Sequence, residues 1–370
     1  MLEAVNNRSA ARVAFAFFAL VNSWWLFLFL TGNLTEHNKN LWAASYGLIC
    51  LCGAYRGFVH SRWWGGFKSV LGRALFVLSL GLLAQEFGQL IFSFYNIFLG
   101  IEVPYPSIAD VGYFGSIPLY IAGIILLGRV VGAKYSLYKM KNVLQLVVIP
   151  AALLLASYYL FLRDYQFDFT DPLKVFLDFG YPLGQAVYIS IAILIFSLSR
   201  NVVGGIMREK VLLLLLGFVF QYVADSNFLF QSVNGTWVSG YYGDVLYFVA
   251  YFVMTLGLIS FFDPNIGRLV FAPIVSATQN VYSQIILKII AEQQQVLGPV
   301  ALEEASRVGT IKISHDLKQV EISGPGHMAL AALVNQYEKL FGKASVEVCK
   351  EAAKGLIGQL PASEVPEVLK

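Results

Sequence analysis

Residues 111–131 read VGYFGSIPLYIAGIILLGRVV, an apolar run whose single charge, Arg129, lies near its end. A helix of about 20 such residues spans the roughly 30 Å hydrocarbon core of a bilayer. The whole chain has the same character: 57% of its residues are hydrophobic and only 13% are charged, whereas soluble domains carry about 25% charged residues. The run therefore predicts a membrane-spanning helix rather than the interior of a soluble protein.

Similar runs recur along the first 262 residues, and each is long enough to cross a bilayer as a helix, the second only just. Helices are expected because a spanning segment must satisfy its own backbone hydrogen bonds. The windows are 12–32, 41–57, 71–99, 111–131, 143–162, 175–199, 210–230 and 242–262. The sequence thus predicts an all-α polytopic membrane protein, with eight transmembrane helices in residues 1–262.

Basic residues alternate from one connecting loop to the next. The stretches 56–73, 129–141 and 200–210 are rich in lysine and arginine, as is the segment before the first run. The remaining loops carry few basic residues and several acids. By the positive-inside rule, this pattern predicts a multi-pass protein of the plasma membrane with both termini in the cytoplasm.

The sequence before the quoted run returns at intervals of about 67 residues. An aspartate followed three places later by a tyrosine opens the fourth, sixth and eighth windows: Asp110 and Tyr113, Asp178 and Tyr181, Asp244 and Tyr247. Tyr46 holds the same place in the second window, and Gln89 of the third aligns with Asp225 of the seventh. A fixed period of this kind predicts four parallel helical-hairpin repeats.

The repeated aspartates and tyrosines admit two interpretations. An aspartate at a helix start caps free N–H groups and meets the positive end of the helix dipole, which is a structural role. Alternatively, the six residues of the motif converge and line an outward-facing ligand pocket. The sequence leaves both open.

Polar residues also fall inside the predicted membrane core. Carboxyl groups there are costly and usually face the bundle interior with a partner. They predict a cluster that binds a ligand or a proton, or that joins helices by hydrogen bonds. Its members are Gln85, Glu86, Gln89, Gln221, Asp225 and Asn227.

The composition changes after Phe262, where no long apolar run remains. Residues 263–295 predict a helical linker, either a short coiled coil or a helix packed against the C-terminal domain. Residues 296–370 predict that domain, a small cytoplasmic α+β unit. Its expected elements are a β-hairpin at 310–323 and helices at about 327–342 and 344–360.

Several function classes find no support in the residues. The four histidines and three cysteines lack metal-binding spacing, and neither a phosphate-binding loop nor a nucleophile motif is present. We therefore expect neither an enzyme nor a cofactor, metal or nucleic-acid site.

The segments PSIADVGYF, DFGYPLG and DVLY carry a family resemblance. Over about residues 10–262 the chain resembles prokaryotic multi-helix membrane regions that precede histidine kinase or diguanylate cyclase domains in sensor proteins. The resemblance implies a membrane sensor, although no kinase or cyclase region follows here. A cytosolic signalling protein is then the expected partner of residues 263–370, besides the lipid bilayer. A small-solute or proton-coupled transporter is the alternative, and homo-oligomer formation stays open.

Overall fold

The computed structural model describes residues 2–131, 133, 140–163, 165, 170–199, 207–262, 281–297, 300–314 and 319–370. Most of the predicted linker and parts of two basic loops lie outside the described residues. The membrane-domain helices are α1 (Leu2–Leu30), α2 (Glu36–Tyr46), α3 (Ile49–Trp63), α4 (Val70–Ser93), α5 (Ala109–Val130), α6 (Met140–Ser157), α7 (Pro172–Ser199), α8 (Met207–Val233) and α9 (Tyr242–Ser260). Single π-helical turns, Phe94–Leu99 and Tyr158–Leu162, extend α4 and α6.

Within the described residues, seven helices are long and apolar enough to cross a membrane. They are α1 and α4 to α9, and they correspond to seven of the eight predicted windows. A multi-pass helical membrane fold is therefore the architecture of this chain.

The remaining window, 41–57, is not one continuous helix. α2 ends at Tyr46 and α3 begins at Ile49, so the segment is broken at Gly47 and Leu48. α2 contacts the π-helical turn after α4, and α3 contacts α4 and the short 3-10 turn that precedes it. The two pieces together thus lie along α4 over its length.

Burial separates central from peripheral helices. Of the apolar window of α9, 61% is buried inside the fold, against 17% for α1 and 6% for α6. α9 packs on both α3 and α8, while α5 packs on both α4 and α7. The polar side chains of the central helices therefore face one another, and α1 and α6 present most of their surface outward.

Short polar side chains mark several helix starts. Ser69 Oγ accepts a hydrogen bond from the Gly72 N–H at 2.9 Å, and Thr35 Oγ1 accepts one from Asn38 N–H at 3.3 Å. Asp171 Oδ1 accepts the Lys174 N–H at 3.0 Å at the start of α7. Such caps satisfy N–H groups that the first helical turn leaves without a partner.

The C-terminal region forms a small α+β unit. Its elements are α10 (Val281–Leu297), α11 (Val300–Ser306), β1 (Ile311–Ile313), β2 (Val320–Ile322), α12 (Gly326–Phe341) and α13 (Lys343–Ala353). The strands pair antiparallel, Ile311 with Ile322. Compared with the expectation, the strands are shorter and the second helix ends at Ala353, after which 3-10 turns follow.

Over its own residues, α10 corresponds to the second alternative for the linker, a helix packed against the C-terminal domain, rather than to a coiled coil. Its apolar stripe, Ile285, Ile286, Ile289 and Ile290, is fully buried. α10 packs on α12 and α13, and Ser283 Oγ donates to the Val320 carbonyl at 3.1 Å. The stripe is therefore part of the core of the C-terminal unit.

Candidate functional site

Two central helices bring the predicted intramembrane polar residues into the interior. On α4, Gln85, Glu86 and Gln89 are buried; on α8, Gln221 and Asp225 are buried. Their partners divide them into separate hydrogen-bonded groups rather than one cluster. Asn227, also on α8, is separate from Gln221 and Asp225, since its side-chain oxygen accepts a hydrogen bond from Gln231 at 2.8 Å.

Asp225 is a fully engaged carboxyl group. The hydroxyls of Tyr188 and Tyr247 donate to its two oxygens at 2.6 and 3.0 Å, and Gln221 Nε2 donates at 3.0 Å. Donors from α7, α8 and α9 thus meet at one side chain. Charge-assisted hydrogen bonds of this kind offset the cost of burying a carboxylate.

Gln89 occupies a similar junction on α4. The Tyr113 hydroxyl donates to its side-chain oxygen at 2.8 Å, and the Tyr46 hydroxyl, which donates its one proton to Asp244 at 3.0 Å, lies 3.3 Å from the same oxygen. Its amide donates to the Ala43 carbonyl at 2.8 Å. Gln85 forms a further group, since it donates to Ser116 Oγ at 2.8 Å and accepts from the Tyr251 hydroxyl at 3.1 Å.

The break between α2 and α3 lies against these residues. Two side chains supply donors to carbonyl oxygens on either side of it: Gln89 to Ala43, and Thr255 Oγ1 to Ile49 at 3.2 Å. Neighbouring polar side chains commonly make an interrupted helix tolerable inside a membrane. Gly47 permits close approach, because a Cβ there would collide with Glu86 Oε2 and lie 2.9 Å from Gln89 Cγ.

Glu86 differs from every other carboxyl group of the site. Its side chain is 0% exposed, yet neither carboxyl oxygen has a hydrogen-bond partner among the described residues. Cys50 on α3 and Tyr113 on α5 lie within electrostatic range of it. An ionised carboxyl group in this position would be strongly unfavourable.

The three repeated aspartates each have their own partners. Asp110 accepts the Ser107 N–H at 2.7 Å and the Tyr181 hydroxyl at 2.7 Å. Asp244, which is buried, accepts the Gly240 N–H at 2.5 Å and the Tyr46 hydroxyl at 3.0 Å. Both aspartates lie in the first helical turn and accept the N–H of a loop residue before the helix, so neither caps a free helical N–H group as expected. Each also accepts a tyrosine hydroxyl from another helix, and the outward-facing ligand pocket stays a prediction.

Asp178 departs from the expected position at a helix start. It lies in the second turn of α7, whose first turn is capped by Asp171. The hydroxyls of Tyr105 and Tyr165 donate to it at 2.9 and 2.7 Å. In the loop before α5, burial and then this hydrogen bond raise the pKa of the Tyr105 phenol, which keeps it a donor.

Sequence reasoning missed most of the tyrosine donors. Tyr46 has a place in the repeat but no predicted role, and Tyr188 and Tyr251 lie two turns and one turn, respectively, beyond positions that the motif covers. Tyr188 follows Tyr181 by seven residues, and Tyr120 follows Tyr113 by seven. That helical spacing on one face was the available signal.

The membrane and C-terminal parts meet through the polar helices. α10 contacts α4, which carries Glu86, and α12 contacts α8, which carries Asp225. In the C-terminal core, burial raises the pKa of the Cys349 thiol to about 12, with Gln293 Nε2 3.3 Å from its sulfur. A search of the described residues finds no group of three His, Cys, Asp or Glu side chains arranged for a metal ion.

Comparison of the chain with family models, curated proteins and solved structures finds no match. The function has therefore to be argued from the geometry of these residues.

Proposed function

We propose that the chain is an integral membrane sensor, which passes a signal from its outer face or membrane interior to the cytoplasmic α+β domain and from there to a cytosolic signalling protein. One observation carries the proposal. The helices that hold Glu86 and Asp225 are also helices that the C-terminal unit contacts, α4 through α10 and α8 through α12. A rearrangement at either carboxyl group thus has a direct route to the domain.

The proposal includes eight membrane crossings, with α2 and α3 as one interrupted crossing. Residues 36–63 would span about 40 Å if helical throughout, which exceeds the hydrocarbon thickness. Eight crossings leave both termini on one side. Together with the basic loops, this favours a cytoplasmic location for the termini and for the α+β domain.

It also includes four parallel repeats, related as two pairs. Tyr113 donates to Gln89 and Tyr247 donates to Asp225, which are aligned positions. A second pair of bonds supports the same relation: Tyr46 donates to Asp244, and Tyr181 donates to Asp110. A pseudo-two-fold axis along the membrane normal would relate each bond to its counterpart.

The hydroxyl donors supply the element that can switch. Each joins two helices, so a ligand or proton that withdraws one acceptor changes how those helices pack. The ligand or proton can shift the equilibrium between two helix arrangements only to the extent that it binds one of them more tightly than the other. The separate hydrogen-bonded groups give several places where such a difference can arise.

The test uses the full chain in lipid nanodiscs as bait for cytosolic proteins of its source cell. Binding is measured for the wild type, Glu86→Gln, Asp225→Asn and a chain lacking residues 281–370. Glu102→Gln is the matched control, because Glu102 is an exposed outer-loop carboxylate. We expect a partner that is lost with the deletion and whose affinity changes severalfold in the two buried variants only. Absence of any tail-dependent partner would contradict the proposal.

A transporter is the second candidate, and the break beside Glu86 favours it. Interrupted helices next to a buried carboxyl group form substrate or ion sites in many transporters. Solute or proton flux in proteoliposomes that survives deletion of residues 281–370 but fails in Glu86→Gln would favour this function over the sensor.

A further inference from the structure

Among the described residues, the interior of the membrane domain contains three deeply buried carboxyl groups with unequal surroundings. Asp225 has three donors and Asp244 has two, counting hydroxyl, amide and backbone N–H groups. Glu86 has neither a hydrogen bond nor an ion pair within the described part of the chain. Two of the groups are thus arranged to be stable as anions, and the third is stable only when neutral or when paired with a cation.

Space decides between these possibilities for Glu86. The Gly47 backbone lies so close to Glu86 Oε2 that even one added methyl group would collide, and Gln89 closes the same side. Cys50 on α3 and Tyr113 on α5 interact electrostatically with Glu86, and the charge of Asp244 on α9 also reaches Tyr113. None of these is a cation, and the contact with Gly47 and Gln89 leaves no room for an added ion on that side of Glu86. A proton requires no such space.

The break does not offer a partner to the carboxylate. No side chain caps the N-terminus of α3, but the Cys50 and Leu51 N–H groups already bond to the Gly47 and Leu48 carbonyls at 2.8 and 3.2 Å. An ionised Glu86 would therefore have to leave its position against Gly47.

We propose that Glu86 is a proton-binding site and that the proton is the stimulus of the sensor, an inference that rests on the proposed function. With the proton bound, the neutral carboxyl group packs against Gly47 as observed. When the proton leaves to bulk water, the carboxylate has no hydrogen-bond donor among the described residues in this position and moves away from Gly47. α3 then shifts against α4, and α10 receives the change through its contact with α4.

Infrared difference spectroscopy on the full chain in lipid bilayers tests the proton site. As the pH is raised, one protonated-carboxyl band should disappear in a single titration, with the ratio of the two forms changing about tenfold per pH unit. The band should be missing in Glu86→Gln and retained in Asp225→Asn. Isotope labelling of glutamate alone should shift the band in the wild type, which identifies it even if a variant does not fold.

Hydrogen exchange of residues 281–297 over the same pH series tests the stimulus. Exchange should change severalfold with the titration in the wild type and stay constant in Glu86→Gln. A band that responds to aspartate labelling, no titrating band, or exchange independent of pH would each overturn the inference. A tail-bound partner whose affinity ignores pH would leave the sensor proposal intact and remove this one. A pH response without any tail-dependent partner would remove the sensor proposal and leave Glu86 as a proton-binding site only.

Discussion

The Gly47→Ala substitution should destabilise the membrane domain although alanine suits the local backbone. Gly47 has φ −64° and ψ −26°, in the right-handed helical region. Alanine there would ordinarily stabilise the fold by about 0.4–1 kcal/mol, because it restricts the unfolded chain. The added Cβ, however, collides with Glu86 Oε2 and lies 2.9 Å from Gln89 Cγ and 3.4 Å from Gln89 Cβ.

Overpacking of this kind costs about 1–3 kcal/mol. Subtracting the backbone gain leaves a net loss of up to about 2.6 kcal/mol in the free energy of unfolding, or about 1.3 kcal/mol at the midpoints of the two ranges. Glu86 can move its carboxyl group more easily than Gln89 can move, since hydrogen bonds from Tyr113 and to the Ala43 carbonyl fix the Gln89 amide. We therefore expect the larger part of the cost to come from Gln89 and from the carbonyl that it holds.

Gly115→Ala is the matched control. Gly115 lies within α5, and a Cβ there meets no atom within 4 Å. Alanine should be neutral or stabilising by up to about 1 kcal/mol in that helix. The two variants should then differ by about 2 kcal/mol, or roughly 30-fold in the unfolding equilibrium.

Unfolding of the purified chain in mixed micelles, followed by circular dichroism against added dodecyl sulfate, measures this difference. The additional variant Gly47→Ala with Glu86→Ala should recover only part of the loss. If Gly47→Ala were as stable as Gly115→Ala, the close packing at the break, and the exclusion of a larger ligand that depends on it, would both be wrong.

Three further predictions concern other parts of the chain. Tyr247→Phe removes a donor to the buried Asp225 and should lower the free energy of unfolding by about 1.5–3 kcal/mol, the range for hydrogen bonds to charged groups; an unchanged midpoint in the same assay would refute that contribution. Burial holds the pKa of Cys349 at about 12 against an ordinary 9.0. In a full chain whose Cys50 and partly exposed Cys52 are replaced by serine, Cys349 should therefore resist maleimide near pH 8 while folded and react once unfolded; rapid native labelling would count against this. Since the folded pKa is the higher one, the stability that this thiol contributes should be present below pH 9.0 and decline as the pH rises toward about 12. In a background without other cysteines, Ser232→Cys should react with an impermeant maleimide on intact cells, whereas Lys68→Cys should react only after permeabilisation; the opposite result would invert the proposed orientation.

The membrane fold could be predicted from composition because length and apolarity alone decide whether a helix can cross. The break at Gly47 and Leu48 could not be predicted in this way, although the window 41–57 is the shortest of the eight. A glycine within an apolar run is common in membrane helices. What makes this one an interruption is support from Gln89 and Thr255, which lie far away in sequence.

The buried carboxyl groups of the site could also be predicted from the sequence, but the differences in their hydrogen-bond donors could not. A buried acid inside an apolar run is conspicuous in any sequence, so Glu86 and Asp225 were both identified. Which of them receives tyrosine donors depends on how the helices cross. Likewise, Asp178 aligns with Asp110 by motif, but α7 begins earlier than the motif indicated, because Asp171 caps it.

The amide of Gln89 also limits which side chains position 89 can accept. An aspartate there, as at position 225, would keep an acceptor for the Tyr113 hydroxyl but leave the Ala43 carbonyl without its partner. Because position 89 borders the break between α2 and α3, it requires a side chain that both donates and accepts. An amide does both without a charge, whereas a carboxylate only accepts and an ammonium group only donates, so neither of these can take its place.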